Sequence, residues 1–179
     1  IERVVDIRAQ RSTSLEFGPF DVADFDPADP VVILIVQTNV HALQACYFQK
    51  KKYDRVRPSF LFSDVDPIIA IPQHPSFPSG HSTQAHAVAF ILSELEPGMK
   101  NDFLRRASYI AENREVAGVH YPSDSSGGKE LAKAVVRELL RHKDYQKLVV
   151  AARKSWLGEG DMVMKVREKN QRFDLSVLK

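Results

Sequence analysis

Between its prolines this chain spaces apolar residues three and four apart and almost nowhere alternates them. That periodicity makes helices that each bury one stripe, and it cannot supply the two-residue period of a half-buried sheet. Ile33, Val36, Val40, Leu43 and Tyr47 carry the spacing through a segment opening at Asp29-Pro30, an aspartate cap with proline in the first turn. The segment runs to about Tyr53, and Pro58 ends it because the residue before a proline resists the helical region. Further helices are predicted from near Ser79 to Glu94, Met99 to Val116, Pro122 to His142, Asp144 to Trp156 and Asp161 to Gln171. Pro97-Gly98 separates the first two of these. The expected fold class is all-α, a compact helical bundle.

Two stretches escape the pattern. Pro58, Pro67, Pro72, Pro75 and Pro78 mark 59–78 as a loop, with Ile68 to Ile71 at most a turn of extended chain. Ile1 to Arg11 suits a short helix, and Arg11 to Pro30 reads as an irregular arm rich in Ser, Phe, Asp, Gly and Pro. The expectation is one domain over 1–179: an N-terminal arm at 1–29, a core at 30–142 and C-terminal helices at 143–179. A chain of this length buries roughly two-thirds of its unfolded surface and needs no staples.

The net charge of +2 is too small to imply nucleic acid or a membrane surface as partner, so any cationic chemistry is local. The lone cysteine, Cys46, excludes an intrachain disulfide and reads as a buried structural thiol. The longest aliphatic run, Val31 to Val36, falls far short of the ~20 residues of a membrane span. No leader precedes the charges that follow Ile1; the expectation is a processed or trimmed chain, with removal of an export signal left open.

Three clusters carry chemistry. In KKKYDRVRP, Lys50 and Arg57 are seven apart and would share one face of a helix, where two cations suit an intervening anion. In PSFPSGH, Ser79 and Gly80 open a helix whose first amides and dipole form an anion site, and His81 stands beside it as a proton donor. In the third, Arg114 offers a planar fork for phosphate oxygens, and Asp124 lies within reach of His120 to fix its tautomer and free the other nitrogen for attack. Taken singly, each has a plainer explanation: a solvated basic face, an ordinary cap by Ser79, an acidic residue favouring a helix start. Together they supply cations, helix-start amides, a nucleophile with its orienting carboxylate and an acid, an inventory that suits phosphoryl transfer without a metal.

The order Lys50…Arg57-Pro58, Pro78-Ser79-Gly80-His81 and Arg114…His120…Asp124 resembles the signature of the type 2 phosphatidic acid phosphatase superfamily. That superfamily includes the bacterial class A non-specific acid phosphatases and the vanadium haloperoxidases. The resemblance covers about Lys50 to Asp124 and implies a mostly helical bundle. It assigns His120 as the nucleophile that becomes phosphorylated, Asp124 as its orienting residue and His81 as the acid for the leaving alcohol. Lys50, Arg57, Arg114, Ser79 and Gly80 would hold the phosphoryl oxygens. Asn113 departs from the serine usual before the third-block arginine, and an altered rate or specificity is expected from it. Lys51 is an alternative to Lys50 should the helix register shift by one.

The activity this implies is metal-independent hydrolysis of small phosphate monoesters through a phosphohistidine, with no cofactor. Vanadate is expected only as an inhibitor, or as the cofactor if the chain is instead a haloperoxidase. A soluble lipid-phosphate phosphatase is a further alternative. No nucleic acid and no membrane span are expected, a homo-oligomer is left open, and the resemblance permits a periplasmic or secreted location. His74 either lines the mouth of the site or is a solvent-exposed loop histidine, the latter being the simpler expectation. His86 reads as a partly buried helical residue, Trp156 as packing, and His41 and His142 as lacking ligand partners. The pocket wall is expected from the arm before Pro30 and from the proline loop.

Overall fold

The computed structural model describes residues 26–157, with Arg3, Val4, Ile7 and the backbone of 16–17 and 20–21. Six helices make up the described bundle. They are α1 (Pro30–Tyr53), α2 (Pro58–Leu61), α3 (Gly80–Leu95), α4 (Lys100–Val116), α5 (Pro122–Leu139) and α6 (Lys143–Leu157). A 3₁₀ turn at Pro97–Met99 leads into α4. The C-terminal helix expected near 161–171 lies outside the described residues. Arg3, Val4 and Ile7 are helical, as expected of the first segment.

The arm is less irregular than its sequence suggests. Glu16–Phe17 (β1) pairs antiparallel with Phe20–Asp21 (β2), Glu16 opposite Asp21 and Phe17 opposite Phe20. Strands of two residues are too short to show alternation, which is why the sequence concealed them.

Helix α3 is the axis of the bundle, packed against α1, α4 and α5. Its sequence is apolar or small nearly all round, and twelve of its residues, from Ser82 to Leu95, are buried. Val31, Leu34, Ile35 and Ala42 of α1 meet it, with Phe103, Ala107 and Ile110 of α4 and Ala132 and Val136 of α5. Tyr145, Val149, Ala152 and Trp156 of α6 complete the same core, so Trp156 packs as expected. Asp29 caps α1, its carboxylate accepting from the Val31 amide at 2.7 Å.

Two expectations need correction here. Helix α1 stops at Tyr53, where Asp54 adopts the left-handed conformation and its amide closes on the Lys50 carbonyl at 2.9 Å. Pro58 therefore begins the short α2 instead of ending α1, and Arg57 stands in a non-helical link, not on the lysine's helix face. The second concerns membrane length. The stretch Pro30–Leu61 holds an 18-residue window of mean hydropathy 1.5, long and apolar enough by length and composition to cross a membrane. Counting an unbroken aliphatic run missed it, because uncharged Gln37, Thr38 and Asn39 interrupt the run without making the window polar. Within this protein 44% of that window is buried.

Helices α3 and α5 touch at their first turns. The Ser79 amide donates to the Asp124 carbonyl at 3.0 Å, and Ser82 Oγ donates to the Ser125 carbonyl at 2.7 Å. Gly128 permits the approach: a Cβ there would lie 2.8 Å from both the Ser79 carbonyl oxygen and Ser82 Cβ. Gly128→Ala is expected to push the two helix starts apart and cost about 1–3 kcal/mol of stability. Urea unfolding monitored by circular dichroism measures this; a midpoint equal to wild type contradicts the close packing.

Candidate active site

The paired helix starts bring the third cluster beside the second. Gly118, at φ 73° and where a Cβ would crowd Val65 at 3.1 Å and Pro67 at 3.3 Å, turns the chain out of α4 and delivers Val119 and His120 to the first turn of α5. His120 Nδ1 lies 3.1 Å from Asp124 Oδ2, four residues on. The same oxygen accepts from Ser76 Oγ at 2.5 Å and from the Tyr121 amide at 3.0 Å. Arg55 Nη1 donates to the other carboxylate oxygen at 2.9 Å and to Ser123 Oγ at 2.7 Å. Its guanidinium lies 4.0 Å from the centroid of the Tyr121 ring. Burial raises the pKa of Asp124, but the bonds from His120, Ser76 and the Tyr121 amide outweigh it and keep the group below the ordinary carboxylate range. An ionised Asp124 holds the proton of His120 on Nδ1 and leaves Nε2 as the basic nitrogen.

Burial pushes the His120 imidazole down to about 4, with Asp124 opposing and Arg57 and Lys50 adding to the shift. The ring is therefore neutral through most of the acid range. Its Nε2 lies 3.5 Å from Arg57 Nη1, so a group bonded to Nε2 would meet that cation.

Three buried cations gather near this nitrogen. Lys50 donates from Nζ to the Pro75 and Ser76 carbonyls at 2.6 and 3.0 Å, and burial lowers it to about 8. Lys51 and Lys52 are exposed, so the helix register selects Lys50. Arg57 donates to the Val119 carbonyl at 2.6 Å and to the Pro72 and His74 carbonyls at 3.1 Å each. Arg114 donates to the Ile7 carbonyl at 2.9 Å. Burial lowers both arginines to about 10, which leaves them charged at neutral pH.

A cavity of about 740 Å³ opens over these groups. Lys50, Gly80, His81, Arg114 and His120 line its polar side. Ile7, Leu43, Ile68, Ile69 and Pro72 line an apolar side. Thus the N-terminal arm and the proline loop both contribute wall residues, and α1 adds Leu43 and Tyr47 to them. Gly80 and His81, at the start of α3, line the same space, where the positive end of the helix dipole favours an anion. Ser79 is fully buried beneath it; its Oγ caps the Ser82 amide, and its own amide is engaged by Asp124. Among the described residues no three His, Cys, Asp or Glu side chains are grouped so as to hold a metal ion.

The sequence reading missed Ser76 and Arg55, and it misjudged His74. His74 is half-buried on the cavity wall, where its Nδ1 lies 3.2 Å from Arg57 Nη2 and its ring stands edge-on to Tyr47 at 5.4 Å. The fold of the proline loop, invisible to periodicity, brings it there. Arg55 had one available signal. In an extended link, residues two apart share a side, so Arg55 and Arg57 both face the site. Cys46 is buried at the cavity floor, its thiol donating to the Pro78 carbonyl at 3.6 Å. His86 is fully buried and donates from Nδ1 to the Ser82 carbonyl at 2.8 Å, while His41 and His142 are exposed.

The chain has relatives among known proteins. The chain is 30% identical over 109 residues to the non-specific acid phosphatase of Providencia stuartii, covering 58% of this chain and 44% of that protein. It is 32% identical over 112 residues to the acid phosphatase of Zymomonas mobilis, covering 59% and 41%. The non-specific acid phosphatase of Salmonella typhimurium matches over 156 residues at 24%, covering 83% and 62%. This chain thus spans less than half the length of the first two relatives. Among solved structures, the first transmembrane PAP2 type phosphatidylglycerolphosphate phosphatase from Bacillus subtilis superposes with a TM-score of 0.48 at 21% identity. That superposition covers 80% of this chain and 67% of the other. The model of the PAP2 superfamily matches residues 30–146, which contain all three clusters, helices α1 to α5 and only the first turn of α6; the chain belongs to the PAP2 superfamily.

Proposed function

We propose that this protein hydrolyses phosphate monoesters through a phosphohistidine at His120, without a metal. The observation that carries the proposal is the orientation of one ring: Nδ1 on a buried, multiply bonded Asp124, Nε2 toward Arg57. In the first half-reaction His120 Nε2 attacks phosphorus and the ester P–O bond breaks. The departing alkoxide takes a proton from His81. Lys50, Arg57, Arg114 and the start of α3 hold the equatorial oxygens, and Asp124 stabilises the imidazolium character that the N–P bond creates. In the second half-reaction water attacks phosphorus, His81 takes its proton, and the N–P bond breaks to release inorganic phosphate. Leu43, Ile68 and Ile69 offer the alcohol portion of the ester an apolar wall.

A lipid phosphate is a second reading, favoured by that wall and by three consecutive exposed residues, Phe60, Leu61 and Phe62. Comparing kcat/KM for p-nitrophenyl phosphate and for short-chain phosphatidic acid in detergent separates the two.

The pH dependence follows from the buried groups. His120 must be neutral to attack and Lys50 must be charged to attract phosphate. For p-nitrophenyl phosphate in EDTA, kcat/KM is expected to fall below about pH 4 as His120 gains a proton. It is expected to fall again as the acid His81 and the cation Lys50 lose theirs, Lys50 at about pH 8. An inactive wild type across this range refutes the phosphatase reading. An acid limb near the ordinary histidine value, ~6.5, refutes the neutral buried nucleophile.

A further inference from the structure

We infer that the N-terminal arm is a working part of the phosphoryl site, with Arg3 and Asn113 as positioning residues for Arg114. The inference rests on the phosphatase reading and deepens it. Arg3 and Ile7 are four apart and both helical, and both meet adjacent residues of α4. Arg3 Nε donates to Asn113 Oδ1 at 3.0 Å. Arg114, the next residue, donates from Nη2 to the Ile7 carbonyl at 2.9 Å. The two bonds run in opposite senses between the same pair of segments and form a two-point latch.

Burial gives the latch its consequence. Asn113 and Arg114 are 0% and 2% exposed, and Ile7 is 1% exposed. A buried amide oxygen needs a donor, and Arg3 supplies one from a half-exposed position. Ile7 packs with Ala117 and Val119, the residues leading to His120, and also lines the cavity. Arm placement thus fixes both the plane of the Arg114 fork and one wall of the pocket. The two weaker contacts of Arg3, 3.5 Å to the exposed Glu112 carboxylate and 5.5 Å to the Tyr109 ring centroid, hold its guanidinium over α4 without entering the cavity. The geometry also gives Asn113 a use. Its side-chain oxygen reaches the arm, where the shorter serine usual at this place would leave Arg3 a longer gap to span.

The test is Arg3→Ala, with Asn113→Ser as its reciprocal and Arg105→Ala, an exposed cation on the same helix, as control. Steady-state hydrolysis of p-nitrophenyl phosphate, calorimetric binding of inorganic phosphate and thermal melting are measured on each. Loss of a hydrogen bond that orders a phosphate-binding arginine is expected to raise KM and phosphate Kd about tenfold. The kcat should change much less, and Arg105→Ala should match wild type. Arg3→Lys, which keeps a donor, is expected to recover part of the loss. Melting temperature lowered with KM and Kd unchanged would mean ordinary packing, and overturns the inference. So does a double variant that binds phosphate as weakly as the sum of two independent losses. If wild type binds phosphate but hydrolyses nothing, the phosphatase reading fails while the Kd comparison still decides the latch.

Discussion

His120→Ala is expected to abolish metal-free hydrolysis, lowering kcat by on the order of 10⁵ to 10⁶, as removal of a nucleophile or its base does elsewhere. The imidazole is the group that accepts the phosphoryl in the proposed path. Its Nε2 neighbours Arg57, its Nδ1 is committed to Asp124, and burial keeps it neutral where the reaction runs. Alanine leaves a void beside Val119 and the Asp124 carboxylate, but no charge is stranded, because Arg55 still pairs with Asp124 at 2.9 Å. The fold should therefore survive, and circular dichroism should match wild type. Rapid alkaline quench after mixing with ³²P-labelled substrate adds a direct check. Wild type should trap acid-labile, base-stable label on the protein, and the variant none. Label trapped on His120→Ala would place the covalent step elsewhere.

Asp124→Asn is the second large effect, expected to lower kcat by roughly 10³ to 10⁴ with substrate affinity little changed. The substitution is nearly isosteric, yet the site is built around the charge. Oδ2 accepts from His120, Ser76 and the Tyr121 amide, and Oδ1 from Arg55. An amide has one acceptor oxygen and one donor nitrogen, so it cannot serve both sides. With its nitrogen toward His120 it would donate to Nδ1 and force the proton onto Nε2, the nitrogen that must attack. With its nitrogen toward Arg55 it would set donor against donor. Either arrangement also removes the negative charge that stabilises a phosphorylated ring. A kcat within tenfold of wild type, with the variant folded, would show that Asp124 serves the helix start alone. In the same proteins, ¹⁵N chemical shifts of the His120 ring report the tautomer, with the proton on Nδ1 in wild type and displaced in the variant.

Much of the bundle was legible because helices are local. A three-and-four spacing and a cap such as Asp29-Pro30 depend on neighbours within a turn, and those calculations need no tertiary information. The boundary at Tyr53 was legible and its cause was not. Pro58 was given the role that Asp54 performs, since the left-handed conformation of a non-glycine residue leaves no mark in a pattern. The membrane-length character of α1 was missed for a related reason: runs were counted where an average decides.

The site divides along the same line. Residue types and their order named Lys50, Arg57, Ser79, Gly80, His81, Arg114, His120 and Asp124, because a phosphoryl group demands cations, helix-start amides, a nucleophile and an acid, and few other chemistries demand that set. The helical period also brought Asp124 within reach of His120, four residues apart at the start of α5. Everything that joins distant segments had to come from the fold. Ser76 meets Asp124 across 48 positions, Arg55 across 69, Arg3 meets Asn113 across 110, and the Ile7 carbonyl meets Arg114 across 107. These bonds use backbone carbonyls, short hydroxyls and loop residues, which have no periodicity to announce them. The sequence by itself determined the helices and the chemical inventory, since both follow from residue identity and short-range spacing. Only the tertiary structure decided which partners hold that inventory in place, because the close approach of α3 and α5 at Gly128 and the path of the proline loop are products of packing.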